Sequence, residues 1–97
     1  MQSAKLTQTS AINPGTTQTV SIGAASAATA AAIGANLVRL VAATVACYVA
    51  NGPSPTATAT SMYLAPNVPE YFLISANDKI AVLQVSSAGT LFITPAT

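Results

Sequence analysis

Charged side chains are scarce in this 97-residue chain. Lysine and arginine together number three, aspartate and glutamate together number two, and there is no histidine. An average soluble domain carries about 25% charged residues, whereas this chain carries 5%. The basic residues Lys5, Arg39 and Lys79 are scattered singly, so they cannot form the stripe of positive charge that neutralises phosphates. We therefore expect no nucleic-acid partner.

The residues of common catalytic and metal centres are also missing. With no histidine and one cysteine, the chain cannot assemble a His₃ or Cys₂His₂ zinc site, a Ser-His-Asp triad or an intrachain disulfide. Cys47 has no base to activate it, so we expect a buried, apolar thiol. Glu70 and Asp78 lie in no recognised motif and are expected to be solvated turn charges or one weak ion pair. We expect no enzyme activity, cofactor, metal or small-molecule substrate.

Targeting and membrane signals are weak. Residues 1–10 are polar and contain no apolar run of the kind found in secretory signals. Residues 20–38 are uncharged and residues 40–50 continue apolar after Arg39, which leaves open a holin-like hairpin of two short spans. The first stretch is mostly Ala, Ser, Gly and Thr, and no positive cluster flanks it, so the sequence favours a protein without a membrane partner.

Small uncharged residues supply most of the chain. Alanine, threonine and serine together occupy 43 of the 97 positions, and the net charge is +1. Low charge combined with frequent Val, Ile and Leu is the opposite of the composition of disordered chains. Because little charge repulsion keeps copies apart, we also expect the folded protein to work in an assembly.

Short strands are predicted along most of the chain. Residues 1–15 resemble an N-terminal arm or first strand that closes on an Asn13-Pro14-Gly15 turn, and residues 16–22 alternate as a strand does. The Ala-rich residues 24–35 fit a helix or a strand, and we favour a thin strand at residues 28–33 before a turn at Gly34.

The second half carries clearer signals. Residues 37–41 and 45–49 are rich in β-branched side chains and read as consecutive antiparallel strands, with Cys47 facing the core. The Pro/Thr-rich residues 53–60 are expected to form a surface loop without an apolar anchor. Further strands are predicted at 61–64, 70–74, 79–85 and 90–94, with hairpin-length turns between the last three.

This pattern predicts an all-β fold, a small antiparallel β-sandwich or jelly-roll-like domain of about seven or eight short strands. Residues 16–97 would form this single domain, and residues 1–15 would form its N-terminal arm or first strand.

Four residues are candidates for an interface. Arg39, alone in an apolar strand, is either an exposed member of an outer face or a charge paired with Glu70 or Asp78 at an interface. Tyr48, Tyr63 and Tyr71 lie on separate strands and form no ladder that could stack bases or sugars. Core packing is the simpler role for these tyrosines, and one or two of them remain available for an interface.

From residue 37 onward the chain resembles small proteins that decorate or cement the capsids of tailed bacteriophages. The segments that carry the resemblance are Val38-Arg39-Leu40, Tyr48-Val49-Ala50, a Pro/Thr/Ala-rich loop, Met62-Tyr63-Leu64-Ala65-Pro66, Val68-Pro69-Glu70-Tyr71-Phe72, Lys79-Ile80-Ala81-Val82 and Gly89-Thr90-Leu91-Phe92-Ile93-Thr94.

The resemblance implies a β-sandwich protein present in many copies on the outside of the capsid. Its partner would be the major capsid protein, whose subunits it would bridge as a homo-oligomer, a dimer or trimer on the lattice, with an arm reaching to neighbours. Its location would be the capsid surface of the virion, after assembly in the host cytoplasm. The alternatives are another virion component such as a head-fibre base, neck or tail protein, a holin-like membrane protein, or a small carbohydrate-binding module.

Overall fold

A computed structural model describes residues 13–97, which form eight strands and no helix. The strands are β1 (Gln18–Ile22), β2 (Ala27–Ala28), β3 (Leu37–Ala43), β4 (Cys47–Gly52), β5 (Met62–Leu64), β6 (Glu70–Leu73), β7 (Lys79–Gln84) and β8 (Gly89–Ala96). The predicted all-β class is confirmed. Within the described part of the chain, no helix has the length and apolarity needed to cross a membrane.

The strands form two four-stranded antiparallel sheets, one in the order β1-β8-β3-β6 and the other in the order β2-β7-β4-β5. β1 pairs with β8, β2 with β7, β3 with β6 and β4 with β5, as in one long antiparallel ribbon. Additional pairing of β8 with β3 and of β7 with β4 closes the rolled ribbon into two sheets. This is the arrangement of a jelly-roll β-sandwich, as the strand pattern predicted.

The core lies between the two sheets and is built by residues that alternate along each strand. In β3, Val38, Leu40 and Ala42 are buried, while the residues between them are half-exposed. β8 contributes Leu91 and Ile93 from the same sheet, and the facing sheet contributes the fully buried side chains Cys47, Leu64 and Val82. The predicted core position of Cys47 is confirmed.

The connections between strands differ from the prediction. β3 and β4 were expected to be antiparallel neighbours, but they lie in opposite sheets, and so do the strands joined by the turns at residues 74–78 and 85–88. Among the strands of residues 13–97, only β4 and β5 are consecutive in the chain and hydrogen-bonded to each other. The alternation of apolar residues shows which face of a strand is buried, but it carries no information on which strand lies beside it.

The connection from β3 to β4 crosses the sandwich through a tight turn. Thr44 has a φ of 67°, and the Val45 amide donates to the Ala43 carbonyl over 2.9 Å, which is the hydrogen bond of a γ-turn. Asn67 holds this turn from the β5–β6 connection. Its side-chain Oδ1 accepts from the Thr44 amide at 3.0 Å, and its own amide donates to the Ala42 carbonyl at 2.7 Å.

The Ala-rich segment contains less regular strand than expected, since β2 covers only Ala27–Ala28 rather than residues 28–33. Beyond β2 the chain still follows β7 through single hydrogen bonds. The Thr29 amide donates to the Ile80 carbonyl at 2.9 Å, and the Ile33 amide donates to the Asp78 carbonyl at 2.8 Å. Thr29 and Ile33 are the buried anchors of this segment. The turn expected at Gly34 is present, with a φ of 77°.

The Asn13-Pro14-Gly15 segment is extended and does not form the predicted turn. Asn13 and Thr97 exchange two backbone hydrogen bonds, and the Gly15 amide donates to the Pro95 carbonyl at 2.7 Å. Between the Pro14–Ala96 bridge and the Gln18–Ile93 pair, residues 15–17 lie against residues 94–95. One extra residue on one strand is the geometry of a β-bulge. The other residues assigned to the arm, residues 1–12, lie outside the described part of the chain.

The loop from residue 53 to residue 61 is anchored, contrary to the prediction. Ala57 is buried, and its amide donates to Ser26 Oγ at 2.9 Å. Ser26 precedes β2, whereas the loop leaves β4 and enters β5 at the other side of the same sheet. The loop therefore crosses the outer face of this sheet, over β7. The absence of large apolar residues concealed the anchor, because an alanine is large enough to pack on a surface of small side chains.

Two candidate interaction faces

The four candidate interface residues divide into two pairs on opposite sides of the sandwich. Arg39 of β3 lies directly opposite Tyr71 of β6 in the first sheet. Tyr48 of β4 lies opposite Tyr63 of β5 in the second sheet. All four occupy outward positions, because the strand residues next to them point into the core. The fold thus brings the candidates together in pairs and separates the pairs by the thickness of the sandwich.

The first outer face surrounds Arg39 with large apolar side chains, and we call it the Arg39 face. Its other members are Leu37 and Val41 on β3, Tyr71 and Leu73 on β6, and Phe92 on β8. Tyr71 is 52% exposed, Leu73 is 84% exposed and Phe92 is 41% exposed. Large apolar side chains grouped on one outer face are typical of a surface that binds another protein.

Neither carboxylate side chain of the protein lies on the Arg39 face. Glu70 is paired with the inward-pointing Leu40, not with Arg39. Asp78 lies in the turn before β7, where its Oδ2 accepts from Asn51 Nδ2 at 2.8 Å and from the Ser75 amide at 3.3 Å. Asp78 is 8% exposed, so the expectation of a solvated turn charge was wrong for this residue. Its carboxylate organises the turn and accepts from the neighbouring strand β4.

The second outer face carries the Tyr48–Tyr63 pair. Their ring centroids are 6.4 Å apart and the rings are inclined by 71°, an edge-to-face contact that the sequence did not reveal because the two tyrosines belong to different strands. Tyr63 is more than half exposed, whereas Tyr48 is only partly so. The loop at residues 53–61 covers the β7 side of this sheet, so the exposed aromatic surface lies towards its β5 edge.

A small apolar cleft of about 120 Å³ opens at one end of the core. Core residues of both sheets, including Leu40, Val49 and Ile80, line it, together with Met62, Phe72 and Leu73. Met62 pairs with the inward-pointing Val49 and yet is 43% exposed. The short edge strands β5 and β6 therefore leave the sandwich partly open here. The sequence pattern did not predict this cleft. The shortness of the predicted strands at residues 61–64 and 70–74 was the one signal that pointed to it.

The two carboxylates and the cysteine of residues 13–97 lie in different parts of the fold. Glu70 begins β6, whereas Asp78 lies in the turn between β6 and β7 and accepts hydrogen bonds from Asn51 and Ser75. No three side chains among His, Cys, Asp and Glu come together in this part of the chain to hold a metal ion. Burial raises the pKa of the Cys47 thiol to about 11. The described surface offers two weakly charged outer faces with exposed aromatic side chains.

No protein-family model, curated protein or solved structure matches the chain. Comparison with known proteins therefore does not indicate which molecules the two faces contact.

Proposed function

We propose that this protein is a structural component of a phage virion that binds the outside of the capsid and stabilises the shell by bridging major capsid subunits. It acts as a cement or decoration protein on the capsid surface, in many copies, after assembly in the host cytoplasm. Its partners are the major capsid protein and other copies of itself, as a dimer or trimer on the lattice.

The observation that supports this proposal most is the pair of outer faces. A bridging protein needs two surfaces that different neighbours can contact, and the sandwich carries exposed aromatic side chains on both sides, with Tyr71 and Phe92 on one and Tyr63 on the other. Tyrosine and phenylalanine are enriched in the cores of protein interfaces. Many copies held by a lattice also bind through avidity, so each contact can be weak.

The composition supports the same proposal. Uncharged Thr, Ser and Ala side chains can be covered by a partner at a small desolvation cost, and a lattice-bound protein does not depend on surface charge for solubility. The jelly-roll fold occurs in viral capsid proteins and in lectins. That likeness of fold is an analogy and adds less weight than the two faces.

The proposal is tested by quantitative mass spectrometry of purified virions. We expect a copy number close to that of the major capsid protein, or a simple lattice fraction of it. A ratio of a few per cent would contradict capsid decoration and favour a neck, tail or head-fibre role. Absence of the chain from the particles would overturn the proposal.

A second test compares heads with and without the protein. Heads that lack it should lose their contents at a lower temperature and under a milder osmotic shock than complete heads. Adding the purified full-length chain back should restore the resistance. Heads whose resistance is the same with and without the protein would contradict a cementing role.

A further inference from the structure

We propose that the Arg39 face is the surface that docks on the capsid, and that the partner surface is apolar with an aspartate or glutamate placed opposite Arg39. This inference rests on the proposed function for the identity of the partner, a major capsid subunit. The chemistry of the partner surface follows from the face itself.

The position of Arg39 carries the argument. It lies midway along β3, an interior strand of the first sheet, with Tyr71 on one neighbouring strand and Thr94 on the other. Leu37 and Val41 flank it along the strand. A molecule that covers the exposed Tyr71, Leu73 and Phe92 must therefore also cover the guanidinium group. Burying a guanidinium without an acceptor is costly, since it has five N–H donors and a permanent charge.

An anionic partner removes that cost. A carboxylate matches the planar guanidinium with two parallel hydrogen bonds, and this geometry favours arginine over lysine at protein interfaces. A phosphate-rich surface is a poorer match, because its affinity for a protein comes from several cationic contacts. The Arg39 face would offer it one cation, surrounded by apolar side chains. The face thus fits a protein surface that combines apolar area with one carboxylate.

The chain itself cannot supply that carboxylate easily, which argues for a different protein as the occupant. Glu70 and Asp78 are its only acidic side chains. Asp78 is buried and accepts from Asn51 and Ser75, and Glu70 pairs with the inward-pointing Leu40. Two copies stacked through this face would place one Arg39 near the other, and like charges in contact are unfavourable.

The test measures binding of the full-length protein to heads that lack it. Arg39→Glu is compared with Lys79→Glu, which makes the same change of net charge but lies on the second sheet, opposite Gly52. We expect Arg39→Glu to weaken binding by at least about 30-fold, as for the loss of a buried interfacial charge pair, and Lys79→Glu to stay within about threefold of the unmodified protein. Arg39→Lys should retain part of the affinity.

A second pair of variants tests the Arg39 face without changing the net charge of the protein. Leu73→Ser removes an apolar side chain that is 84% exposed, so it can be introduced without disturbing the core. Its control is Val85→Ser, which changes an exposed apolar residue just after β7, outside the Arg39 face. We expect Leu73→Ser to weaken binding by about tenfold and Val85→Ser to leave it unchanged. Thermal melts of each variant identify any loss of folding.

The outcomes separate this inference from the proposed function. If the unmodified protein does not bind the heads, the proposed function fails. If it binds and the variants on the Arg39 face bind equally well, the proposed function stands and the assignment of the face is overturned. The oligomeric state is measured by sedimentation equilibrium, in which Arg39→Glu should have the same oligomeric mass as the unmodified protein. A changed mass would mean that a second copy occupies this face, which also overturns the inference.

Discussion

Gly89 occupies a position at the start of β8 where no side chain fits. A Cβ atom at this residue would collide with the side chain of Val45 and would lie 3.2 Å from the Ala43 carbonyl oxygen. Ala43 is the last residue of β3 and Val45 lies in the connection from β3 to β4, and Gly89 itself pairs with Ile22. The absence of a side chain therefore lets the start of β8 approach the connection between β3 and β4.

We expect Gly89→Ala to lower the free energy of unfolding by about 1 to 3 kcal/mol, because overpacking forces neighbouring atoms to move. Urea unfolding followed by circular dichroism measures the change. Gly23→Ala is the matched control, since nothing lies within 4 Å of a Cβ there, and it should be neutral or slightly stabilising. Equal effects of the two substitutions would contradict the close approach at Gly89.

Cys47 makes stability depend on pH in the alkaline range. Burial raises the pKa of its thiol from 9.0 to about 11, so between these values the folded protein keeps a proton that the unfolded chain loses. Raising the pH then favours unfolding. The contribution of the thiol is complete below pH 9 and is lost as the pH rises towards 11.

The unfolding free energy of the unmodified protein should therefore fall faster between pH 9 and pH 11 than that of Cys47→Ala. The two proteins differ only at residue 47, so the difference between the two curves isolates the thiol. Parallel curves would contradict the burial of the thiol. Modification by a thiol reagent at pH 8 should likewise proceed only as fast as the protein opens.

The position of a residue was predicted correctly where apolar residues alternate along its strand. It was predicted wrongly where the groups that contact the residue come from a distant part of the chain. Cys47 was placed in the core because Val45 and Val49 share its side of the strand. Asp78 was expected to be a solvated charge because it lies in the polar turn Asn77-Asp78-Lys79. Its partner Asn51 comes from β4, 27 positions away in the chain.

At the scale of elements, the loop at residues 53–61 shows how small side chains can fix a long connection. Ala57 is 3% exposed although both neighbouring threonines are exposed. Ala81 of β7 is fully buried although it faces outward, away from the neighbouring core residues Ile80 and Val82. Both observations follow from the loop lying across β7, where alanines allow the backbone to approach the sheet closely.

A charge at Ala57 should lift this loop from the sheet. We expect Ala57→Glu to make the loop several-fold more sensitive to limited proteolysis, because an unpaired carboxylate cannot be buried there. Ala59→Glu is the control, since Ala59 lies in the same loop and is exposed. The cleavage rate and the cleaved bond are read by mass spectrometry. Equal cleavage of the two variants would show that Ala57 does not hold the loop.

The alternation of side chains along a segment decided which strands could be predicted from the sequence. The strands β3 to β8 were anticipated within a few residues, because their β-branched and aromatic side chains alternate. β2 was not, since an alanine run carries no alternation of large and small side chains, and the extent of its pairing depends on β7. The apolar cleft beside Met62 depends on the ends of β5 and β6 in space.

At the scale of the whole molecule, the strands of residues 13–97 form a rolled ribbon, and this arrangement bears on how the chain folds. Gln18 pairs with Ile93, Ala27 with Val82 and Leu37 with Leu73. Among the described strands, only β4 and β5 pair with their neighbour in sequence. Nearly every strand pairing therefore requires distant parts of the chain to meet before any stabilisation is gained.

We expect refolding on the timescale of about milliseconds to seconds, because non-local strand pairing slows the search for the native topology. Stopped-flow dilution from urea, followed by tyrosine fluorescence, measures the rate. Folding in microseconds, as in helical bundles, would contradict the rolled arrangement of the strands.

The amino-acid sequence by itself determined the class of the fold, the inward side of most strands, and a surface poor in charge. These properties follow from composition and from alternation along short segments, which are local. The order of strands in the sheets, the pairing of Arg39 with Tyr71 and of Tyr48 with Tyr63, and the buried partners of Asp78 were decided only by the tertiary structure. A strand with one buried face can pack against many partners, and the choice among them is made by the packing of the whole sandwich.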